Sequence, residues 1–184
     1  SSVMFSKEKL RKKFTALRKN KYFTFKPSFF NPLIKVIKYK KENKISLYYP
    51  SNYEVDTLIL AKILNKKKFT ISLPKIFKNG RMKFINWKIH DPLIVNKFGF
   101  LEPTVSKKNV NPNIIIVPLL AFDRFKNRLG YGKGYYDKFL SSYSRRKKSV
   151  LTIGLAFSFQ KYKKIPITKS DIKLDYILTE KGIF

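Results

Sequence analysis

Apolar and polar positions alternate along this chain in ways that predict most of its elements. In residues 6–20, Leu10, Phe14 and Leu17 recur at spacings of four and three, which is one stripe on a helix, and Ser6 is placed to cap its start. Residues 21–43 are basic and broken by Pro27 and Pro32, which predicts a loop and then a helix over 32–40. KISLYY at 44–49 reads as a buried strand ended by Pro50. EVDTLILAKILN at 54–65 reads as an amphipathic helix with acids in its first turn, and 68–73 as a second strand closed by Pro74. Strand, helix and strand in that order predict a parallel pair with a right-handed crossover.

Past the Asn79-Gly80 turn, residues 81–89 alternate as a strand, and an irregular stretch extends to Pro112. NIIIVP at 113–118 is the most apolar strand, and an unbroken isoleucine run suits a central strand covered on both faces. A helix over 134–142, a strand over 150–156 and a short strand over 174–178 complete the pattern. The expectation is a single α/β domain over 1–184, a three-layer sandwich in which helices cover both faces of a mostly parallel central sheet.

Composition narrows the chemistry. The chain has no cysteine and one histidine, His90, which excludes a disulfide framework and thiolate zinc and argues against nucleophile–histidine catalysis. Its apolar runs fall well short of the roughly 20 residues that cross a bilayer, so a cytoplasmic protein without membrane contact is expected. A net charge of +30 raises nucleic acid as a partner. Yet 34 of the 41 basic residues are lysine, with 19 isoleucines and 12 asparagines beside them, the composition that an AT-rich coding sequence produces. Base-reading surfaces favour arginine for its bidentate fork. A basic RNA-binding or ribosome-associated module therefore remains the alternative, and no specific nucleic acid is expected.

The chemistry-bearing segment is RLGYGKGYYD, 128–137, after the central strand and before a helix, where open parallel sheets bind ligands. Gly130, Gly132 and Gly134 let the backbone approach an anion, Lys133 adds a charge, and the following helix adds its positive end. The spacing fits neither GxxxxGK[ST] nor GxGxxG. Arg128 adds a clamp, Tyr135 and Tyr136 add two flat faces, and Asp137 adds a carboxylate suited to Mg²⁺ beside phosphates. Lys7 and Arg11 lie four apart on one face near the start of the first helix, where cations oppose the macrodipole and call for an anionic partner or for solvent.

The run VPLLAFDRFKNRLGYGKGYYDKFL, 117–140, closely resembles the signature of the 5-formyltetrahydrofolate cyclo-ligase family, also called methenyltetrahydrofolate synthetase. Agreement extends to Lys7, Leu10 and Arg11, to Tyr49 and Glu54, to Leu73–Lys75, to Met82 and Phe84, to Glu102-Pro103, and to Asp171 and Asp175. The resemblance implies a ligase of one-carbon metabolism that converts 5-formyltetrahydrofolate and ATP, with Mg²⁺, into 5,10-methenyltetrahydrofolate, ADP and phosphate through a phosphorylated formyl group. It further implies that Lys7, Arg11 and the run Arg128, Leu129, Gly130, Tyr131, Gly132, Lys133, Gly134, Tyr135 and Tyr136 bind ATP, with Lys133 and Arg128 acting in the chemistry. Tyr48, Tyr49, Glu54, Met82, Trp87 and Tyr135 would meet the folate, Asp137 and Asp175 would hold the metal, and the protein would act as a monomer. Each assignment competes with an ordinary one: Glu54 as a first-turn acid, the tyrosines as strand residues, Met82 and Trp87 as packing. At Tyr131 some relatives carry arginine.

Overall fold

The computed structural model describes residues 2–38, 43–104, 107–146 and 149–184, and residues 2–6 by their backbone alone. Among the described residues four α-helices, α1 (Ser2–Lys21), α2 (Asn31–Lys38), α3 (Thr57–Lys66) and α4 (Tyr135–Arg146), accompany twelve strands. The strands are β1 (Lys44–Ser46), β2 (Thr70–Ile76), β3 (Met82–Asn86), β4 (Leu93–Val95), β5 (Leu101–Pro103), β6 (Asn109–Val110), β7 (Ile114–Val117), β8 (Ala121–Phe122), β9 (Arg128–Leu129), β10 (Leu151–Leu155), β11 (Tyr176–Thr179) and β12 (Gly182–Ile183).

Eight strands form the main sheet in the order β12-β11-β10-β7-β1-β2-β3-β6. The run from β11 to β2 is parallel, and β12, β3 and β6 join antiparallel at the edges. The expected β1–α3–β2 unit is present, with Ile45 opposite Ile71. In β7, alternate residues serve opposite faces. Ile114 and Ile116 pack with Leu33 and Ile37 of α2 and Leu60 and Leu64 of α3, whereas Ile115 and Val117 pack with Leu140 and Tyr143 of α4. An all-apolar strand is thus the mark of a sheet covered on both sides, and the three-layer sandwich expected from the pattern is present.

Boundaries moved for physical reasons. Helix α1 begins at Ser2, so Ser6 lies inside it and does not cap it, and Lys7 and Arg11 stand a turn or more beyond the start. Helix α3 begins at Thr57 with Asp56 as its N-cap, accepting from the Leu58 N–H at 2.9 Å, so Glu54 belongs to the preceding loop. The strand expected to stop at Pro74 continues to Ile76. Ser72 turns its carbonyl to Leu47 beyond β1, and residue 74 faces the same side after β1 has ended, so the missing N–H of Pro74 costs no ladder bond. The stretch before Pro112, expected to be irregular, holds β4, β5 and β6. Tyr39 and Lys40, in the helix expected over 32–40, lie outside the described residues. No described helix is long and apolar enough to cross a membrane.

Helix α1 lies over the carboxyl end of β7. Its stripe of Leu10, Phe14 and Leu17 packs on Leu120, Ala121, Leu129 and Ile165, burial that stabilises by about 1.5–3 kcal/mol for each large side chain. That packing puts its basic face beside the glycine loop.

Candidate active site

Between β7 and the glycine loop the chain makes a small hairpin, β8 with β9. Its turn is organised by Asp123, fully buried, whose carboxylate accepts from the N–H groups of Phe125, Asn127 and Ile165 and from the Asn127 amide. A buried carboxylate with this many donors is satisfied in place, so β9 delivers Arg128 to a fixed position. Gly130 follows, where a Cβ would come within 2.7 Å of the Arg128 guanidinium. Gly132 (φ 96°) and Gly134 (φ 72°) take left-handed conformations that side chains disfavour. The chain then enters α4 at Tyr135.

Two openings flank this loop. The larger in the extent of its lining is an aromatic cleft with about 150 Å³ of room inside it. Tyr48, Tyr49, Glu54 and Met82 line it, the loop supplies Tyr131 and Lys133, α4 supplies Tyr136, and the β4–β5 hairpin contributes Asn96, Phe98, Phe100 and Leu101. Phe98 sits 6.0 Å from the Tyr135 ring and 4.8 Å from Lys133 Nζ. The second opening, shallow and basic, is bounded by Glu8, Arg11, Lys12, Tyr131, Gly132 and Lys133. Tyr131 and Lys133 thus border both.

Glu54 is placed by a tight loop in which Asn52 (φ 50°) and Tyr53 (φ 62°) are both left-handed, a conformation that costs energy in a tyrosine. One carboxylate oxygen accepts from the Ser51 N–H at 2.8 Å, the other from the Tyr131 hydroxyl at 2.8 Å. Burial raises its pKa, against the pull of the Arg18 charge and the Ser51 N–H. Burial, reinforced by the Glu54 charge, also pushes the phenols of Tyr48, Tyr131 and Tyr136 well above the usual tyrosine value. These phenols are neutral donors at working pH. The Tyr48 hydroxyl donates to the Val55 carbonyl, whereas the buried Tyr136 hydroxyl finds no protein partner.

The structure sorts the residues singled out in the sequence. Tyr48, Tyr49, Glu54, Met82, Arg128, Tyr131, Lys133, Gly134, Tyr135 and Tyr136 all border the larger cleft. Arg11 donates through Nε to the Gly130 carbonyl at 3.0 Å and borders the second opening with Gly132. Arg128 donates to the Pro118 carbonyl at 2.9 Å and stands 3.7 Å from Asp137, with its buried Nε unpaired. Lys7 is engaged by Asp171 at 2.7 Å.

Three assignments need correction. Trp87 turns to the opposite face of β3 from Met82, packs edge-on behind Tyr49 at 6.3 Å, and does not line the cleft. The Leu129 side chain is buried against α1, so only its backbone belongs to the loop. Asp175 is no partner for Asp137. Its carboxylate accepts from the Thr152 N–H and hydroxyl at the amino end of β10, away from the carboxyl ends that carry the loop. Asp137 itself accepts from the Ile172 N–H at 3.1 Å. Among the described residues no three acidic or imidazole side chains gather as a metal site.

Sequence reasoning missed Arg18, Phe98 and Asn96. Arg18 is 1% exposed; it stands four residues after Phe14 on the buried face of α1, a spacing that could have shown that its charge turns inward. Phe98 and Asn96 belong to a hairpin that the sequence pattern left irregular. Glu102 and Lys75, noted only in the resemblance, form a buried pair at 2.9 Å beneath that hairpin.

An α/β domain with a glycine loop at the carboxyl end of its central strand, a cationic opening on one side and an aromatic cleft with a carboxylate on the other, is built as a two-ligand enzyme. The chain belongs to the 5-formyltetrahydrofolate cyclo-ligase family, which it matches over residues 4–180. It is 30% identical over 176 residues to the 5-formyltetrahydrofolate cyclo-ligase of Haemophilus influenzae, covering 92% of this chain and 91% of that one. The solution structure of Aquifex aeolicus 5,10-methenyltetrahydrofolate synthetase superposes with a TM-score of 0.72 at 33% identity, covering 96% of this chain and 91% of that one. A Mycoplasma pneumoniae 5,10-methenyltetrahydrofolate synthetase shares the fold, with a TM-score of 0.71 at 23% identity and coverage of 95% and 98%.

Proposed function

We propose that this protein converts 5-formyltetrahydrofolate to 5,10-methenyltetrahydrofolate at the expense of ATP. The observation that carries the reading is the placement of Lys133, on the rim shared by an anion-suited opening and an aromatic cleft with one carboxylate. Family membership supplies the substrates, and the geometry supports their distribution. ATP phosphates would lie over the glycine loop against Arg11 and Lys133, and the pterin would enter the larger cleft between Tyr48, Tyr49, Met82 and Tyr136. There Glu54 accepts from ring N–H groups and Tyr136 donates to a ring oxygen or nitrogen.

In the reaction the formyl oxygen attacks the γ-phosphorus and ADP leaves. The N10 nitrogen then attacks the activated formyl carbon, N10 gives up its proton, and the carbon–oxygen bond breaks to release phosphate. The protein holds the formyl oxygen and γ-phosphate together and neutralises charge, which suits a site of cations and neutral phenols without a histidine. Mg²⁺ would fit here as an ion carried on the nucleotide: Asp137 lies in the first turn of α4 directly after the loop, 3.7 Å from Arg128, and Mg²⁺ commonly binds one carboxylate plus substrate phosphates. Bound there, it would shield the β- and γ-oxygens.

An ¹⁸O label in the formyl group tests the sequence of bonds. The label is expected in the released inorganic phosphate. Label recovered in water or retained in the folate would overturn the phosphorylated formyl intermediate.

A further inference from the structure

A buried charge bridge crosses from α1 to the larger cleft. The Arg18 guanidinium donates to the Asn52 carbonyl at 2.9 Å, to the Leu119 carbonyl at 3.1 Å and to the Tyr131 hydroxyl at 2.9 Å. That hydroxyl in turn donates to the Glu54 carboxylate at 2.8 Å. Arg18 and Glu54 are 1% and 9% exposed and make no direct ion pair, so a neutral phenol relays the stabilisation between them. The same tyrosine lies between Gly130 and left-handed Gly132 and borders both openings.

We propose that Arg18 and Tyr131 are positioning residues that hold Glu54 aimed into the cleft as a carboxylate and, through the same hydroxyl, tie the conformation of the glycine loop to what Glu54 binds. The inference rests on the proposed placement of the pterin at Glu54 and extends it to the coupling of two sites. A ligand that hydrogen-bonds to Glu54 competes for, or reinforces, the oxygen that Tyr131 occupies. The loop backbone on either side of Tyr131 runs close to the Arg128 and Arg11 guanidiniums, and the Gly130 carbonyl accepts from Arg11, so a shift of Tyr131 is carried to both cations. Occupation of one opening therefore changes the affinity of the other, and the effect is reciprocal. The groups facing Glu54 are Arg18 from α1, Tyr131 from the loop, Tyr48 from the end of β1, Tyr136 from α4 and Ser51 beside it. Of these only Arg18 carries charge at neutral pH, so its removal, or removal of the phenol that relays it, favours the protonated acid.

The test compares wild-type protein with Tyr131→Phe, Arg18→Gln and Arg18→Lys. Initial rates over a grid of both substrates should show the wild-type KM for 5-formyltetrahydrofolate depending on ATP. In Tyr131→Phe that dependence should fall at least threefold, the folate KM should rise about tenfold, and the acid limb of kcat/KM should move to higher pH. Arg18→Lys should restore part of what Arg18→Gln loses, having the charge but one donor group for three acceptors. Unchanged substrate coupling and an unchanged acid limb in Tyr131→Phe, with the fold intact, would overturn the bridge. If wild-type protein released no ADP in response to 5-formyltetrahydrofolate, the functional reading would fail separately. The bridge would then be judged by carbon-13 NMR titration of Glu54, which needs no substrate: an upward shift in Tyr131→Phe supports it, and an unmoved titration overturns it.

Discussion

Lys75 Nζ and Glu102 Oε1 stand 2.9 Å apart with both side chains nearly buried, and this pair fastens β5 to β2 beneath the larger cleft. The ammonium also reaches the Pro103 carbonyl at 3.0 Å, while the other Glu102 oxygen accepts from the Ile76 N–H and the Asn96 amide, each at 3.1 Å. Asn96 in turn accepts from the Phe98 and Phe100 N–H groups, so one ion pair sets the loop that carries the aromatic roof. Lys75→Met leaves a buried carboxylate without its counter-charge. It should cost about 3–5 kcal/mol of unfolding free energy in urea and raise the folate KM more than the ATP KM. Equal effects on both would show that the hairpin does not serve the larger cleft.

Lys133→Met removes the charge shared by the two openings. A single preorganised donor to developing negative charge is worth about 10²–10³ in turnover, and kcat should fall by that order. Thermal unfolding should be nearly unchanged, since the Lys133 ammonium has only the Phe98 ring contact at 4.8 Å, which lies at the cleft. Steady-state rates beside a melting curve check both halves.

Asp175→Asn separates a structural carboxylate from a metal ligand. The amide oxygen can still accept from the Thr152 N–H and hydroxyl but without the carboxylate's charge, so stability should fall by about 1 kcal/mol. The Mg²⁺ dependence of turnover should stay as in the wild type. Asp137→Asn should shift the Mg²⁺ requirement to higher concentration.

Two acids should pull the pH dependence of stability in opposite directions. Burial raises the Asp171 pKa, but the hydrogen bond and charge of Lys7 and the Thr168 N–H outweigh it and leave the value lowered. Its contribution is therefore present above the usual aspartate value near 4 and is lost as pH falls through the lower folded one. Glu54 has a raised folded pKa, so its contribution is present below the usual glutamate value and is lost as pH rises through the folded one. Lys7→Met should remove the acid-side loss attributable to Asp171 and cost about 1 kcal/mol or less at neutral pH, because the pair is part-exposed. Urea melts at several pH values report both slopes.

The sheet and its order of elements were legible because IIIV at 114–117 and the stripe of Leu10, Phe14 and Leu17 are periodic over lengths that local physics reads. The glycine loop was legible because Gly132 and Gly134 must take left-handed φ. The polar arrangements that complete the site were not. Asp123, Arg18 and the Lys75–Glu102 pair are satisfied by partners many residues away, and neither periodicity nor spacing encodes such partners. Asp175 misled because an acid near the end of the chain has no local sign of which end of its strand it will serve. Trp87 misled by parity: five residues beyond Met82 on one strand path, it faces the other way.

The conversion is tested most directly by following ADP release and the methenyl absorbance together in purified protein given ATP, Mg²⁺ and 5-formyltetrahydrofolate. Both signals should rise in equal amounts, neither should rise when one substrate is left out, and both should fall about 10²-fold or more in Lys133→Met. ADP release indifferent to 5-formyltetrahydrofolate, or no methenyl product at all, would contradict the conversion.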